Sequence, residues 1–516
     1  MNMSLTLPPF IKPMLEPDFY PHPVTTPIQF IQTHVSIVFL TGDYAYKVKK
    51  PVDFGFLDYS TLEKRHHFCQ EELRLNQRGA ADLYLEVIPI TISNDRYGLG
   101  LPGEVIDYTL KMRQFPQHSL FSELFNQGLL TVERLEELGR VTAQFHGQGA
   151  TNDYIRSFGE ISQIKEAFDE NYEQTRGYIG GPQTQQQFEE TQAYSDRFFT
   201  EHTDLFASRR QGDWIRECHG DMHLGNICLW QDKITLFDCI EFNEPFRFVD
   251  VMFDVAYIVM DCDARNRSDL AYGFLNSYVE QTGDWDGLRV LPIYVSRQSY
   301  VRAKVTSFLL NDPAISPADR KGAETTAALY YQLAWQYTQP RAGRLLLMSG
   351  LSGSGKSTIA RKLALELGAI HIRSDAVRKH LAGVPLLERG GAELYTPAMT
   401  RQTYDRLLNL GVTLAKDGYT VILDAKYDRQ LLREEAIAQA NHQGLPVTIL
   451  HCSAPLAVLQ QRLEERTGDI ADATAQLLPT QVAVFEEFTQ KELSSMITID
   501  TSADIDVHHL KSVIQP

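Results

Sequence analysis

A chain of 516 residues is too long for one ordinary hydrophobic core and calls for two or three domains. Its 43% hydrophobic and 22% charged residues exclude a disordered or fibrous protein. The 49 basic against 66 acidic side chains, a formal charge of −17, argue against a general nucleic-acid binder, because phosphate backbones are held mainly by Lys and Arg.

The six cysteines form no CxxC pair, which predicts reduced thiols in a cytoplasmic protein rather than a disulfide framework or a zinc site. The N-terminal stretch lacks an apolar signal core. The most apolar segment, VMFDVAYIVM at 251–260, is too short to span a bilayer and carries Asp254. It reads as a buried helix, and no membrane partner is expected.

In chain order, residues 1–27 hold seven prolines and are expected to be mostly extended. From 28 the pattern alternates, and Thr41-Gly42-Asp43 marks a hairpin turn. Residues 61–79 read as a helix, and 84–92 and 105–115 as strands. Helical periodicity dominates 119–210, short strands and loops fill 215–242, and helices return to 338. The segment 339–344, QPRAGR, is the expected linker. Beyond it, candidate strands at 345–349, 369–372, 420–424, 446–452 and 496–500 alternate with helical patterns. This predicts a five-stranded parallel sheet covered by helices.

Gly350-Leu-Ser-Gly-Ser-Gly355-Lys356-Ser357 fits GxxxxGK[ST], after an apolar strand and before a helix-forming run. Glycines let such a loop curl its N–H groups onto phosphate oxygens, and the helix N-terminus favours the negative charge. The expected nucleotide-binding set is Gly350, Ser352, Gly353, Ser354, Gly355, Lys356, Ser357 and Thr358. Lys356 reaches the β- and γ-phosphates of ATP, and the Ser357 hydroxyl ligates Mg²⁺. Asp424 ends the strand TVILD as a second Mg²⁺ ligand. Ala425 follows it where water-activating ATPases commonly carry Glu, which favours transfer over hydrolysis.

After the strand AIHI, Asp375 is placed to take a proton from a substrate hydroxyl. Arg378 is placed to hold an anionic group on that substrate. Arg462 and Arg466, at i and i+4, read as one helix face closing over the phosphates. These features resemble P-loop small-molecule and polynucleotide 5′-kinases, such as gluconate kinase and zeta-toxin-like phosphotransferases. The resemblance implies an ATP-dependent kinase domain over roughly 343–516. A basic groove at Arg373, Arg378 and Lys379 would mark a polynucleotide acceptor.

A second constellation lies upstream. His219-Gly-Asp221-Met-His-Leu-Gly-Asn226 fits HxDxxxxN, and Asp238 follows twelve residues later. In a kinase catalytic loop the Asp accepts or orients the substrate hydroxyl, and the Asn and a later Asp hold Mg²⁺. Those roles fall on Asp221, Asn226 and Asp238, with His219 structural. Ala45-Tyr46-Lys47 presents the phosphate-binding lysine on a strand. Lys49 shares its face and is the reserve. The lysine's partner is Glu72, with Glu71 as the alternative.

This region resembles the aminoglycoside phosphotransferase and choline-kinase-like family. The whole chain resembles bacterial bifunctional aminoglycoside phosphotransferase-like/ATP-binding proteins. The resemblance implies an α+β two-lobed protein-kinase-like domain over 28–338, with an N-lobe at 28–112 and a C-lobe at 116–338. An α/β P-loop NTPase domain follows at 345–516. The expected protein is an Mg²⁺-ATP-dependent phosphotransferase acting on a small-molecule hydroxyl, with two nucleotide sites. The alternative is a P-loop kinase or ATPase regulated by a non-catalytic N-terminal domain.

Overall fold

The computed structural model describes residues 7–514. Contacts gather the chain into two compact units. One takes Met1–Leu130, Gln144–Glu166 and His202–Tyr257; the other takes Thr131–Ala143, Ala167–Glu201 and Ile258–Pro516.

The first unit is built on a six-stranded antiparallel sheet. Its strands are β1 (Gln29–Gln32), β2 (Ser36–Leu40), β3 (Tyr44–Lys49), β4 (Tyr84–Ser93), β5 (Arg96–Leu99) and β6 (Glu104–Arg113), in the order β1-β2-β3-β6-β4-β5. The Thr41-Gly42-Asp43 turn joins β2 to β3 as expected. Gly42 has φ +106, and a Cβ there would lie 2.4 Å from Thr25 Oγ1. The helix Leu62–Ala80 is capped by the Thr61 side chain, which accepts the Lys64 N–H. It buries Cys69, Glu72, Leu75 and Asn76 and packs on β4 and β6.

The described part of the proline-rich arm is not extended. Pro9–Ile11, Pro13–Leu15 and Pro17–Phe19 form three short 3₁₀ turns, each opened by a proline. The fixed φ of proline suits the first position of a helical turn as well as it suits extended chain. Burial of Phe10, Ile11, Met14, Phe19 and Tyr20 against Phe39, Tyr46 and Ile90 decides between them. Residues 1–6 of that arm lie outside the described residues.

Further along this unit, β7 (Ile215–Glu217) pairs with β10 (Phe248–Asp250), and β8 (Ile227–Trp230) with β9 (Lys233–Leu236). The loops between them carry the HxDxxxxN motif and Asp238. The apolar segment at 251–260 lies in the buried helix Val251–Asp263.

In the second unit, β11 (Arg344–Ser349), β12 (Ala369–Arg373), β13 (Thr420–Asp424), β14 (Val447–Ser453) and β15 (Met496–Asp500) form an all-parallel sheet, ordered β12-β13-β11-β14-β15. All five strands lie where the hydrophobic pattern puts them. The continuous run Leu345–Met348 is fully buried, as a central parallel strand requires. The helices Lys356–Leu367 and Val507–Ile514 seal one face through Ile359, Leu363, Leu510 and Ile514.

The segment 339–344 is packed against neighbouring residues. Arg341 stacks 4.4 Å over Tyr337, and a Cβ on Gly343 would lie 1.8 Å from the Ala415 carbonyl oxygen. The helices from 258 to 336 share a unit with the parallel sheet. Arg289 pairs with Asp417 at 2.8 Å, and Tyr419 donates to the Leu288 carbonyl at 2.8 Å. The composition shift at 339–344 marks a change of secondary-structure pattern, whereas the compact units follow buried contact. All six cysteines are buried and free. Among the described residues, no helix is long and apolar enough to cross a membrane.

Candidate functional site

The P-loop runs from the end of β11 into the helix Lys356–Leu367. Gly350, Gly353 and Gly355 have φ of +136, +80 and +82. A Cβ on Gly350 would lie 2.3 Å from the Cys452 carbonyl oxygen, and one on Gly353 would lie 2.7 Å from that of Leu459. The loop is therefore curled as tightly as glycine alone allows. Inside it the Ser354 hydroxyl is buried without a hydrogen-bond partner. Lys356 donates to the Leu351 carbonyl at 2.7 Å, and burial pulls its pKa down despite Asp424 and Asp375 nearby. A buried orphan hydroxyl and a desolvated cation at a helix N-terminus fit a phosphate chain.

Ser357 and Asp424 line the same cavity, as two ligands of one cation would have to. Burial pushes the Asp424 carboxyl up, but hydrogen bonds from His371 and Ser357 and the charge of Arg373 hold it at about 2. The His371 Nε2 lies 3.0 Å from Asp424 Oδ2. An always-ionised carboxylate beside a hydroxyl is the hard-oxygen donor set that Mg²⁺ takes.

A cavity of about 1020 Å³ joins these groups to the other predicted residues. It is lined by Ser352, Gly353, Gly355, Lys356, Ser357 and Thr358 of the loop, together with Asp375, Arg378, Asp424, Arg462 and Arg466. Burial raises the Asp375 pKa against the lowering charge of Arg373, which suits a proton acceptor. Arg378 is buried, donates to the Leu394 carbonyl at 2.8 Å, and lies 5.0 Å over Tyr395. Its Nε has no partner.

One expectation is corrected here. The helix carrying Arg462 ends at Glu465, and Arg466 is extended with ψ 125, so the two arginines do not share a helical face. They reach the same cavity by different routes. Arg462 donates to the Thr501 carbonyl at 2.7 Å, and Arg466 donates to the Ala471 carbonyl at 3.0 Å. Past Glu465 the chain turns extended at Arg466 and then takes Gly468 at φ +67. Nor do Arg373, Arg378 and Lys379 make an open basic groove. Arg373 pairs with Asp469, and Lys379 is buried on the carbonyls of Leu386 and Glu388, both at 2.7 Å.

In the first unit, Lys47 sits between Glu72 and Asp238, 2.7 Å from each. Lys49, the reserve lysine, takes the other oxygen of Glu72 at 2.6 Å and also contacts Glu241. Glu72 thus bridges both lysines, while Glu71 pairs with Arg74 at 2.8 Å. Burial lowers the Lys47 pKa, but Asp238 and Glu72 override it and hold it well above the usual value. Burial raises that of Asp238, and Lys47 overrides it downward.

Asn226 Nδ2 donates to the Asp221 carbonyl at 3.0 Å, closing the catalytic-type loop. Asp238 is held at φ +65, a conformation disfavoured for a residue with a side chain. A cavity of about 440 Å³ carries Lys47, Asp221 and Asp238 on its wall, with Val38, Leu83, Met112 and Phe115 as apolar lining.

His219 is structural. Its Nε2 donates to the Phe237 carbonyl at 2.9 Å and its Nδ1 accepts the Asp221 N–H at 3.3 Å. Burial lowers its pKa and keeps it neutral. Asp254 accepts the His219 and Gly220 N–H groups at 2.7 and 2.9 Å, so it anchors the loop. In the sequence, Asp254 stands out only as an obstacle to membrane insertion. A carboxylate in an otherwise apolar helix is the signal that marks it. Glu241 and His371 are likewise missed, being single residues without motif spacing.

The two halves define the protein as a kinase-like domain joined to a P-loop domain. The family model described as AAA domain (AAA_33) matches residues 345–488. The uncharacterized protein Rv2004c of Mycobacterium tuberculosis is 30% identical over 462 residues, 88% of this chain and 90% of that protein. The chain belongs to the same protein family as Rv2004c. The gluconokinase of Gluconobacter oxydans is 30% identical over 149 residues, 28% of this chain and 75% of its own. A choline/ethanolamine kinase family structure from Mesorhizobium loti covers 64% of this chain and 98% of its own, at 10% identity and TM-score 0.35.

Proposed function

We propose that this protein is an Mg²⁺-ATP-dependent phosphotransferase whose acceptor is a hydroxyl group, with its main active site at the P-loop. The observation that carries this is one cavity holding the P-loop, the Ser357–Asp424 pair and Asp375. When bound, Mg²⁺-ATP supplies the phosphoryl group and neutralises part of its charge. Lys356 and the loop amides hold the phosphates, and Ser357 with Asp424 holds the cation. Asp375 takes the proton from the acceptor hydroxyl as that oxygen bonds to phosphorus and the bond to the leaving phosphate breaks. Arg462 and Arg466 offset the charge that builds on the transferred group. Ala425 offers no carboxylate for activating water, which supports transfer over hydrolysis. The gluconokinase relative supports a small polar acceptor.

The first unit is read as a second nucleotide site, with Lys47 and Glu72 on the phosphates, Asn226 and Asp238 on the cation, and Asp221 at the acceptor. The alternative, a non-catalytic regulator, draws on the Lys47–Asp238 ion pair, which ties up both groups.

The test is mass spectrometry of a metabolite extract incubated with Mg²⁺-ATP and wild type, Lys356→Ala or Asp221→Ala. A product lost only in Lys356→Ala assigns the chemistry to the P-loop. Distinct products lost in each variant establish two kinases. Acceptor-independent ATP hydrolysis without any product refutes the transferase reading.

A further inference from the structure

β12 pairs with β13 alone in its sheet, so its outer edge has no strand partner. The helix Ser268–Thr282 lays Asn276 against that edge. Asn276 Nδ2 donates to the Ala369 carbonyl at 2.9 Å, and Asn276 Oδ1 accepts the His371 N–H at 2.9 Å. These two backbone groups, two residues apart on one edge, are those that a neighbouring strand's peptide would bond. One side-chain amide thus stands in for a missing strand along the first half of β12.

The contact continues inward. The same His371 places its Nε2 3.0 Å from Asp424 Oδ2, and Asp424 lines the same cavity as Ser357. A cleft of about 180 Å³ has Asn276, Ser357, His371 and Arg361 on one continuous wall. Arg361 is itself held to Glu136. A residue at 276 lies within the sequence segment read as the kinase-like domain, yet here it braces the cation side of the P-loop.

We propose that Asn276 is a positioning residue for the P-loop site. It fixes the backbone of His371, His371 fixes the Asp424 carboxylate, and Asp424 is thereby held beside Ser357 for the divalent cation. This rests on the reading of Ser357 and Asp424 as the cation-holding pair. It also gives the fusion a physical consequence: part of the metal-binding geometry of the P-loop domain is supplied by a helix from the preceding segment.

The experiment measures ATP affinity of the full-length chain in EDTA and across a Mg²⁺ titration. The P-loop share is the Mg²⁺-dependent gain that Lys356→Ala removes. Asn276→Leu keeps the branched heavy-atom outline and deletes both hydrogen bonds. It is expected to raise the Mg²⁺ concentration giving half of that gain by about 10- to 100-fold, with metal-free ATP affinity unchanged, as loss of a second-layer partner does at metal sites. His371→Ala is expected to give the same shift, and the double variant no more than either alone. Asn276→Asp, which keeps the acceptor for His371 but loses the donor to Ala369, should fall between. An unchanged Mg²⁺ requirement in Asn276→Asp and Asn276→Leu overturns the proposal, and so does a fall in melting temperature without a change in that requirement. A wild-type chain with no ATP binding sensitive to Lys356→Ala overturns the reading of the site itself, a result distinct from the other two.

Discussion

The two lysines proposed to bind phosphate are held in opposite ways. Lys47 is half-buried between two carboxylates at 2.7 Å, so its charge is compensated before any ligand arrives. Lys356 is half-buried against a backbone carbonyl, and desolvation lowers its pKa. A phosphate entering the first unit must compete with an internal ion pair. One entering the P-loop relieves a desolvated cation and an orphan hydroxyl. The P-loop is therefore preorganised for an anion, while the N-terminal site is locked by its own acid. The lock opens only if a cation draws Asp238 off Lys47.

The largest expected effect tests the chemical assignment. Asp375→Asn removes the proton acceptor and should lower kcat for the P-loop product by about 10²- to 10⁴-fold with ATP affinity retained. Asp221→Asn should leave that product untouched. If Asp221→Asn abolishes it instead, the chemistry lies in the first unit and the comparison reverses.

Next comes stability. Glu72→Ala removes the carboxylate shared by Lys47 and Lys49, leaving each with one partner, Asp238 and Glu241, and should destabilise the fold by about 1–3 kcal/mol. The drop is read as a lowered denaturation midpoint. Lys356→Ala removes a half-buried charge with no carboxylate partner of that kind and should cost much less. Equal losses would mean that the two lysines are not held differently.

A smaller effect concerns pH. Asp375 must be ionised to accept a proton, and burial sets its pKa above the ordinary aspartate value. Turnover at the P-loop should therefore fall as pH drops through that raised value, earlier than for an exposed aspartate. Arg373 opposes the rise, so Arg373→Gln should move the acid limb to still higher pH. A limb that moves down, or does not move, removes Asp375 as the base.

How much of this the sequence carried depends on whether a feature is local. The P-loop, the five parallel strands and the Lys47–Glu72–Asp221–Asp238 order are spacing patterns, and the fold keeps them. The three turns of the proline-rich arm were not legible, since proline permits both outcomes and Phe10, Met14 and Phe19 find their partners far along the chain. Arg466 was misread because helical spacing says nothing of where the helix stops. The groups that brace each site, Asp254 in one and His371 with Asn276 in the other, are single residues set by tertiary contact alone. The joint at 339–344 shows the same limit, for composition cannot say that Gly343 will lie against Ala415.

The smallest effect probes how open the P-loop is. Ser352 donates its N–H to Gln481 Oε1 at 3.0 Å, and its hydroxyl accepts from Gln481 Nε2 at 3.0 Å. An anion that takes the Ser352 N–H must first displace this amide. Each such neutral hydrogen bond is worth about 0.5–1.5 kcal/mol net, and the released side chain regains water. Gln481→Ala should thus tighten ATP binding by a few-fold. Gln481→Glu puts a charged acceptor on the same N–H and repels phosphate, so it should weaken binding by more than Gln481→Ala strengthens it. Opposite signs for the two variants, measured by calorimetry at fixed Mg²⁺, identify Gln481 as a latch. If both variants weaken binding, Gln481 is instead a ligand of the bound phosphates, and the P-loop is freer of internal competition than this contact implies. Even as a latch, Gln481 is a neutral amide on one N–H, whereas Asp238 is a full charge on Lys47. The P-loop site should therefore stay the easier of the two to enter.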